Sequence, residues 1–409
     1  MRQIPFYLSL LTLTLLWLSS TTKIAQGQPD NGGASAVEQV TISYQTELSA
    51  LAHYIARERG FYDQLGLNIT MKWYPSGAPQ VREAVDSNAW DMGAAGVVPN
   101  ILGGSQGILN IGISMDQSST NQLVGNAEGV ANWPPKSLLD TPIVVAPNST
   151  GAYVVQACLR SLGYNVSAAS FMYEPELSKA IEDMTPGTNG ETPRANLGGL
   201  WAPHTYRFMN AVEGAATICA GSSVYATVTG GHMVRQEFAE EKPKVVALVL
   251  AGWLRAVEFI NNDDNLNQVL EYMDTFFFEN GVNLTRSLLE LDLKLVGLFD
   301  LEKQLELMER RSDPPISSFD RWTNQIGEFL MENNVFLSVP EPSTYIRDRY
   351  MKMVNEDEFL RAFATMGGDS NQKSDAFSAR ISHWFSFQVA VVTTALLLKT
   401  TGMLLDNLQ

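Results

Sequence analysis

Alternation between strand-like and helix-like segments is the feature that most restricts the fold of this chain. Residues 40–44 alternate apolar and polar side chains as a strand does, and apolar residues from Ser49 onward recur at helical spacing. The alternation continues with strands at 67–73 and 90–94 and helices at 81–87 and 99–104. It restarts with a strand at 141–146, a helix at 151–162, and strands at 171–173 and 197–201. The pattern predicts an α/β fold with a largely parallel sheet, and its restart predicts two lobes.

The second half of the chain is predicted to be mostly helical. After residues 224–229, apolar residues recur at helical spacing over the ranges 238–261, 266–277, 284–296, 316–332 and 356–365. We therefore predict a first lobe in two parts (37–125 and 229–351), an inserted second lobe (126–228), a linker (352–384) and a hydrophobic tail (385–409). The chain is expected to cross between the lobes near 124–130 and again near 224–229.

The N-terminus has the pattern of a secretory signal peptide. Arg2 precedes an apolar run at 6–18, and small residues end at Gly27, so cleavage is predicted after residue 27. The apolar run of about 13 residues is shorter than the roughly 20 that a membrane-spanning helix needs. Residues 28–36 are polar and glycine-rich, which predicts a flexible leader. We therefore expect a secreted or cell-surface protein.

The net charge excludes some partners and leaves others open. The formal charge is −16 at pH 7, so the phosphates of nucleic acids and of anionic membranes would be repelled. A small anion is not excluded, because backbone N–H groups and helix N-termini bind anions whatever the net charge. Removal of the signal peptide leaves roughly 380 residues, which fits two domains or two lobes. We expect a monomer without a nucleic-acid partner.

Cysteine and histidine usage argues against a metal site. The two cysteines, Cys158 and Cys219, do not form a C-x-x-C motif. They either pair in an oxidising compartment or remain as two buried thiols, and the sequence leaves both interpretations open. His204 has no Cys, Asp or Glu at the spacing of a metal site. We expect no metal ion and no cofactor.

Four N-x-S/T sequons follow the predicted signal peptide. Their asparagines, Asn68, Asn148, Asn165 and Asn283, are candidates for glycosylation on a eukaryotic secretory route. Asn148 conflicts with the other predictions, because it lies in a loop expected to face the ligand. A glycan at this position would obstruct closure of the lobes.

Seven short segments in a fixed order resemble the substrate-binding proteins of bacterial ABC importers for taurine, aliphatic sulfonates and nitrate. In chain order they are VTISYQT at 40–46, YPSGA at 74–78, GAAGVVP at 93–99, APNSTGAY at 146–153, LWAP at 200–203, FAEEKP at 238–243 and YIRDRY at 345–350. The resemblance implies the two-lobed type II periplasmic binding protein fold, with a ligand cleft between the lobes and a helical C-terminal extension. It also implies a membrane transporter as a partner.

The loops of these segments carry the predicted ligand site. Each follows a strand and precedes a helix, so it lies at the carboxyl edge of a sheet, where open α/β sheets bind ligands. Hydroxyls and backbone N–H groups at helix starts suit a small organic anion, although ordinary N-capping explains any single loop. The predicted ligand-binding residues are Gln45, Thr46, Glu47, Ser76, Gly77, Ala78, Gly96, Val97, Ser149, Thr150, Gly151, Trp201 and Tyr225. Trp201 either walls the cleft or is simply buried.

One position departs from the taurine-binding pattern. A zwitterionic ligand needs an acid beside its ammonium group. In the taurine-binding members a carboxylate near the strand that returns to the first lobe serves this purpose, and the aligned position here holds Tyr225. Glu47 is the acid that could substitute. The resemblance thus implies a small organic anion, taurine or a plainer sulfonate, bound by lobe closure without catalysis.

Two other functions compete with solute binding. The fold superfamily includes a thiamine-pyrimidine synthase with a cysteine-rich motif and a reactive histidine, whereas this chain has no cysteine cluster and no G-x-S-x-G motif. The chain could also bind a thiamine-pyrimidine precursor. The third function is that of a surface receptor that kept the fold and lost the transport ligand. Ser374 and the spacer after it fit a glycolipid-anchor signal, and a membrane helix or an amphipathic end within 385–409 are the alternatives.

Overall fold

Two five-stranded sheets organise the described part of the chain. The computed structural model describes residues 37–187, 191–311 and 313–366. The predicted signal peptide, the leader, the tail and the anchor candidate Ser374 lie outside these residues. The described residues from Glu38 onward form one compact unit, in which each sheet is the centre of a lobe. The predicted two-lobed α/β fold is confirmed.

The first lobe is built on a mixed sheet. Its strands are β1 (Glu38–Tyr44), β2 (Leu67–Trp73), β3 (Met92–Gly96), β4 (Ile108–Asp116) and β10 (Thr229–Arg235), in the order β2-β1-β3-β10-β4. Strand β1 pairs in parallel with β2 and β3, whereas β10 pairs antiparallel with β3 and β4. The helices among these strands are α1 (Leu48–Glu58), α2 (Gly77–Ser87) and α3 (Val97–Gly104), with a 3-10 turn at Asp63–Leu65.

The second lobe repeats this arrangement with shorter strands. They are β5 (Gln122–Gly125), β6 (Ile143–Val145), β7 (Phe171–Tyr173), β8 (Leu197–Leu200) and β9 (Ala216–Ala220), in the order β7-β6-β8-β5-β9. Strand β6 is parallel to β7 and β8, and β5 is antiparallel to β8 and β9. The helices are α4 (Ala127–Ala131), α5 (Thr150–Ser161), α6 (Leu177–Met184) and α7 (His204–Ala211), with 3-10 turns at Val166–Ala168 and Gly221–Val224.

Helices dominate the chain after β10, as predicted. They are α8 (Gln236–Glu241), α9 (Pro243–Asn261), α10 (Leu266–Glu279), α11 (Arg286–Leu295), α12 (Leu301–Met308), α13 (Ser318–Glu332), α14 (Pro342–Tyr345), α15 (Arg349–Glu356) and α16 (Glu358–Ala364), with a 3-10 turn at Asp263–Asn265. The predicted helix at 238–261 is divided at Lys242, because Pro243 has no N–H and suits the first position of a new helix. None of the helices in the described ranges is long and apolar enough to span a bilayer.

Helix α9 forms the centre of the first-lobe core. Val246, Leu250 and Trp253 are 0% exposed, and the helix packs against α1, α15 and α16. Burying each such side chain contributes about 1.5 to 3 kcal/mol before conformational entropy is counted. The last two helices therefore close the core of the first lobe. Residues 352–364, which we predicted to begin a linker, belong to these packed helices and include the buried Leu360 and Phe363.

The chain passes between the two sheets twice, at 117–121 and at 221–228. The first passage lies before the predicted boundary at residue 125, because β5 already pairs with β8 and β9 of the second sheet. The second passage overlaps the range 224–229, where we predicted that the chain crosses between the lobes. Tyr225 takes a left-handed backbone conformation with φ of 57°, which is incompatible with a strand, and β10 starts only at Thr229.

A disulfide connects Cys158 on α5 with Cys219 on β9. The structure thus decides between the two interpretations that the sequence left open. The bond lies within the second lobe and closes a loop with a sequence separation of 61 residues. In the chain-entropy model a loop of this size corresponds to about 4 kcal/mol of stabilisation. The short strands of the second lobe therefore have a covalent support.

Candidate functional site

The predicted loops lie at sheet edges that face each other. In the first sheet the ends of β3 and β4 lie beside the start of β10, with Gly96 opposite Gly230 and Asp116 opposite Thr229. In the second sheet the start of β5 lies beside the end of β8, with Gln122 opposite Leu200. Both passages of the chain therefore join the carboxyl edges of the parallel strands. The loops after β1, β2, β3, β6 and β8 start from these two edges, the place where open α/β sheets bind ligands.

Hydrogen bonds join the loop after β1 to strand β2 and to helix α2. The Gln45 side chain donates to Gln80 Oε1 at 3.2 Å, and Gln80 Nε2 donates in turn to Ser43 Oγ at 2.8 Å. Thr46 Oγ1 accepts from Trp73 Nε1 at 3.0 Å. Gln80 is fully buried and connects the loop after β1 with α2. Sequence reasoning missed it, because a polar residue within a helix is usually an exposed one.

Helix α2 begins unusually close to α3. A Cβ at Gly77 would lie 1.9 Å from Pro99 Cγ, so only glycine fits at this position. Ser76 is the N-cap of α2, but its side chain makes no capping hydrogen bond, and both Ser76 and Ala78 are exposed. The loop after β2 therefore presents a hydroxyl group that the fold does not use.

The loop after β3 lies beside the first passage between the lobes. Val97, the first residue of α3, is buried, and Gly96 precedes it as the N-cap. A Cβ at Gly96 would lie 3.5 Å from Gln117 Nε2, which places this side-chain amide next to the start of α3. Gln117 is 5% exposed and was not among the predicted site residues. It is a buried, uncharged polar group of the first passage beside the loop after β3.

The loop after β6 uses its serine for helix capping. Ser149 Oγ accepts from Ala152 N at 3.1 Å and donates to Ala146 O at 2.7 Å. Ordinary N-capping, the alternative that we left open, therefore accounts for Ser149. Thr150, the first residue of α5, is 8% exposed. The preceding Asn148 is exposed, with φ of 53°.

Trp201 lies against the start of α5. A Cβ at Gly151 would lie 3.3 Å from Trp201 Cε3 and 3.0 Å from Gly199 O, so glycine permits the close approach of the ring and the strand. The side chain is partly exposed and also packs on the second-lobe core. Nearby, burial and then Arg207 lower the pKa of His204 to about 4, so its imidazole is neutral at physiological pH.

Tyr225 is not grouped with the predicted loops. Its side chain is 92% exposed at the second passage. It lines an open groove of about 390 Å³ between α5 and α13, together with Tyr153, Ala157, Arg160, Ser161, Val224, Ala226 and Gln325. None of the other predicted ligand-binding residues lines this groove. The position at which the resemblance to taurine-binding proteins predicts an acid thus lies on an exposed turn of this chain.

Two carboxyl groups approach each other at the interlobe boundary. Tyr206 of α7 donates a hydrogen bond of 2.9 Å to Asp292 Oδ1 on α11, and both residues are 2% exposed. Burial raises the pKa of Asp292 to about 7, against the opposite effect of this hydrogen bond. Burial raises the pKa of Glu47 to about 7, the hydrogen bond from Ser49 lowers it, and the charge of Asp292 raises it further. A positive charge placed beside the pair would favour both ionised forms.

Sequence reasoning missed Asp292 and Tyr206. The available signal was an acid three residues after Leu289 on the buried face of α11, and this spacing indicates burial without indicating a partner.

No group of three or more His, Cys, Asp or Glu side chains suited to a metal ion occurs within residues 37–187, 191–311 and 313–366. All four sequon asparagines, Asn68, Asn148, Asn165 and Asn283, are exposed, and their glycosylation stays a prediction.

Comparison with known proteins identifies the fold. No protein-family model and no curated protein matches the chain. The periplasmic aliphatic sulphonate binding protein SsuA from Escherichia coli aligns with a TM-score of 0.58 and 13% identity, over 77% of this chain and 99% of SsuA. The periplasmic nitrate-binding protein NrtA from Synechocystis aligns with a TM-score of 0.56 and 10% identity, over 84% of this chain and 98% of NrtA. A DszB mutant in complex with biphenyl-2-sulfinic acid aligns with a TM-score of 0.52 and 12% identity, over 78% and 99% of the chains. At these identities the likeness shows the periplasmic binding protein fold.

Proposed function

We propose that the chain is a solute-binding protein that encloses a small organic anion between its lobes and does not transform it. The observation that carries this proposal is the set of loops at the facing carboxyl edges of the two sheets. These loops contain helix N-termini, the unused hydroxyl of Ser76 and the ring of Trp201, and no Lys or Arg. Binding would rest on hydrogen bonds and helix dipoles.

A sulfonate is the anion that we propose, and the carboxyl pair bears on which sulfonate it is. Glu47 and Asp292 would repel an anion without a compensating charge, and they would stabilise an ammonium group on the same ligand. An amino-sulfonate such as taurine suits this arrangement better than a plain alkanesulfonate. Glu47 would then pair with the ammonium group of the ligand, which Tyr225 cannot do because it carries no carboxylate.

The enzyme alternative is less favoured by the available nucleophiles. The two cysteines of the chain are joined in the disulfide, so neither is a free thiol. His53 and His232 are 1% exposed in the first-lobe core, where their rings lie 5.6 Å apart. Incubation of the protein with sulfonates, sulfinates and thiamine-pyrimidine precursors, followed by mass spectrometry, tests this point. Recovery of every compound unchanged is expected, and a new product would overturn the non-catalytic proposal.

A thermal-shift screen tests binding itself. The ligands are taurine, alkanesulfonates of increasing length, nitrate and thiamine-pyrimidine precursors. A ligand at one hundred times its Kd stabilises the folded state by about 2.7 kcal/mol, so a sulfonate should raise the melting temperature by several degrees. A precursor that binds while every sulfonate fails would favour the alternative ligand class. Failure of all compounds would favour the surface receptor that has lost its ligand.

We also propose that the protein travels through the secretory pathway. The predicted signal peptide, the four exposed sequon asparagines and the disulfide support this route together. Attachment to the membrane through a glycolipid near Ser374 or through the tail, and delivery of the ligand to a transporter, belong to the same proposal. A mass decrease after glycosidase treatment is expected. Release by phospholipase distinguishes a glycolipid anchor from attachment through the tail. A product that retains Met1 and carries no glycan would contradict the route.

A further inference from the structure

Helix α13 is anchored in the first lobe. Ser317 and Asp320 form a reciprocal capping box at its start. Arg310 donates two hydrogen bonds of 2.8 Å to the Asp320 carboxylate, which fixes this end of the helix further. The body of α13 packs against α3, the first-lobe helix that begins at Gly96 and Val97 in the cleft. Its N-terminal half is therefore part of the first lobe.

The C-terminal end of α13 meets α5 of the second lobe. The rings of Tyr153 and Phe329 lie 5.5 Å apart at 66°, and both residues are less than a tenth exposed. Two turns further along α5, Arg160 Nη2 lies 2.6 Å from Glu332 Oε2. Tyr153 and Arg160 are seven residues apart, so they lie on one face of α5. This face begins one turn after Thr150, where α5 enters the cleft.

A second contact joins the lobes between other helices. Tyr206 of α7 and Asp292 of α11 form the buried interlobe hydrogen bond of 2.9 Å. A rotation of the lobes about the passages at 117–121 and 221–228 would separate the helix pairs that carry these contacts. Besides the two passages, the helix pairs α5–α13 and α7–α11 thus connect the lobes.

We propose that α13 is a bridging helix that holds the lobes together in the absence of ligand, and that Tyr153 and Arg160 are positioning residues for the cleft. The helix contacts α3 and α5, so its length and packing set the distance between their N-termini in the cleft. Only the positioning role of Tyr153 and Arg160 for the ligand site rests on the proposed binding function. The resting arrangement of the lobes requires no ligand and is tested without one.

The two contacts differ in their expected strength. The aromatic contact of Tyr153 is buried and should favour the closed arrangement about two- to tenfold. The ion pair is about half exposed, with side-chain accessibilities of 48% and 53%, so its loss should change the closed-to-open ratio less than about fivefold. Reversing one charge adds repulsion to this loss. Arg160→Glu is therefore the informative surface variant.

The experiment measures the distance between the lobes in the protein without ligand. Spin labels are attached at Ser87→Cys and Ser167→Cys, both exposed and in different lobes, with the native disulfide intact. Pulsed electron–electron double resonance spectroscopy of the parent protein should give one distance between the two labels. Arg160→Glu should increase the population of molecules with the lobes apart several-fold, so that a second, longer distance becomes detectable. Tyr153→Leu should do the same.

Two controls separate bridging from general destabilisation. The exchange Arg160→Glu with Glu332→Arg restores opposite charges and should return the single distance. Lys303→Glu disrupts a comparably exposed ion pair within α12 and should leave the distance unchanged. A broad parent distribution would overturn the proposal. So would folded Arg160→Glu and Tyr153→Leu variants that keep the parental distance. The ligand screen decides the binding function separately, since no ligand enters this measurement.

Discussion

The loops of the two lobes use similar residues in different ways. In the first lobe, side chains cross-connect the loops through Gln80 and Trp73, and the hydroxyl of Ser76 remains unused. In the second lobe, both hydrogen bonds of Ser149 serve the helix cap, and Trp201 packs on Gly151. The first lobe thus offers a side-chain donor, whereas the second offers helix N–H groups and an aromatic wall. Similar motifs in two lobes do not imply similar roles.

The largest effect is expected from the covalent support of the second lobe. Replacing Cys158 and Cys219 together by alanine should lower the free energy of unfolding by about 2 to 5 kcal/mol. Urea unfolding monitored by tryptophan fluorescence measures this loss. Reduction of the parent protein should reproduce it, whereas the double variant should no longer respond to reductant. A variant as stable as the parent would show that the short strands hold without the bond.

The second prediction concerns the acid of the first lobe. Glu47→Gln should weaken the binding of taurine about ten- to a hundredfold, because a charged hydrogen bond is lost, and it should leave an alkanesulfonate unaffected or bound more tightly. The pKa of Glu47 is about 7, so its ionised fraction rises as the pH increases through that value. Taurine affinity should therefore rise and alkanesulfonate affinity should fall across this window. Calorimetry measures both ligands.

The exposed Glu58 at the other end of α1 provides the matched control. Glu58→Gln should leave both affinities and their pH dependence unchanged. If Glu47→Gln behaves like Glu58→Gln with both ligands, Glu47 does not contact the ligand.

The third prediction tests the donors of the cleft. Ser76→Ala should reduce the affinity for the best sulfonate about ten- to a hundredfold, because a hydrogen bond to a charged group is lost. Trp201→Ala should also reduce this affinity, because the aromatic wall of the site is removed. Thr150→Ala belongs to the same series, because Thr150 begins the second-lobe helix at the cleft. Calorimetry compares the variants with the parent. Parental affinity in all three folded variants would remove these loops from the site.

The fourth prediction compares two glycines at helix starts. Gly77→Ala places a Cβ 1.9 Å from Pro99 Cγ, whereas the nearest atom for Gly151→Ala is 3.0 Å away. Overpacking at Gly77 should lower the free energy of unfolding by about 1 to 3 kcal/mol, and Gly151→Ala should cost less. Urea unfolding of both variants decides the order. Equal losses would mean that α2 and α3 can move apart easily.

The smallest expected effect is the difference in stability between the variants of Ser149 and Ser76. Ser149→Ala removes a helix cap and should cost about 1 kcal/mol of stability, whereas Ser76→Ala removes no capping bond and should stay within about 0.5 kcal/mol of the parent. Thermal unfolding without ligand measures the difference. A Ser76→Ala variant as destabilised as Ser149→Ala would reveal a structural role for Ser76.

The strands show where sequence reasoning was incomplete. Strands β2 and β7 have the predicted limits, because each has β-branched or aromatic residues between clear turn signals. Strands β4, β5 and β9 were not predicted. All four residues of β5 are buried, and so short an apolar run does not distinguish a strand from other buried structure. Its strand character comes from pairing with β8 and β9, which are far away in sequence.

The sequence alone determined the alternation of strands and helices, the two lobes and the loops at the strand ends. Local patterns suffice for these features, because apolar periodicity and turn residues act over a few neighbouring positions. The tertiary structure alone decided the pairing of Cys158 with Cys219, the capping role of Ser149, and the approach of Asp292 to Glu47 and Tyr206. These features depend on distances between residues that are remote in sequence. Only the packing of the lobes sets those distances.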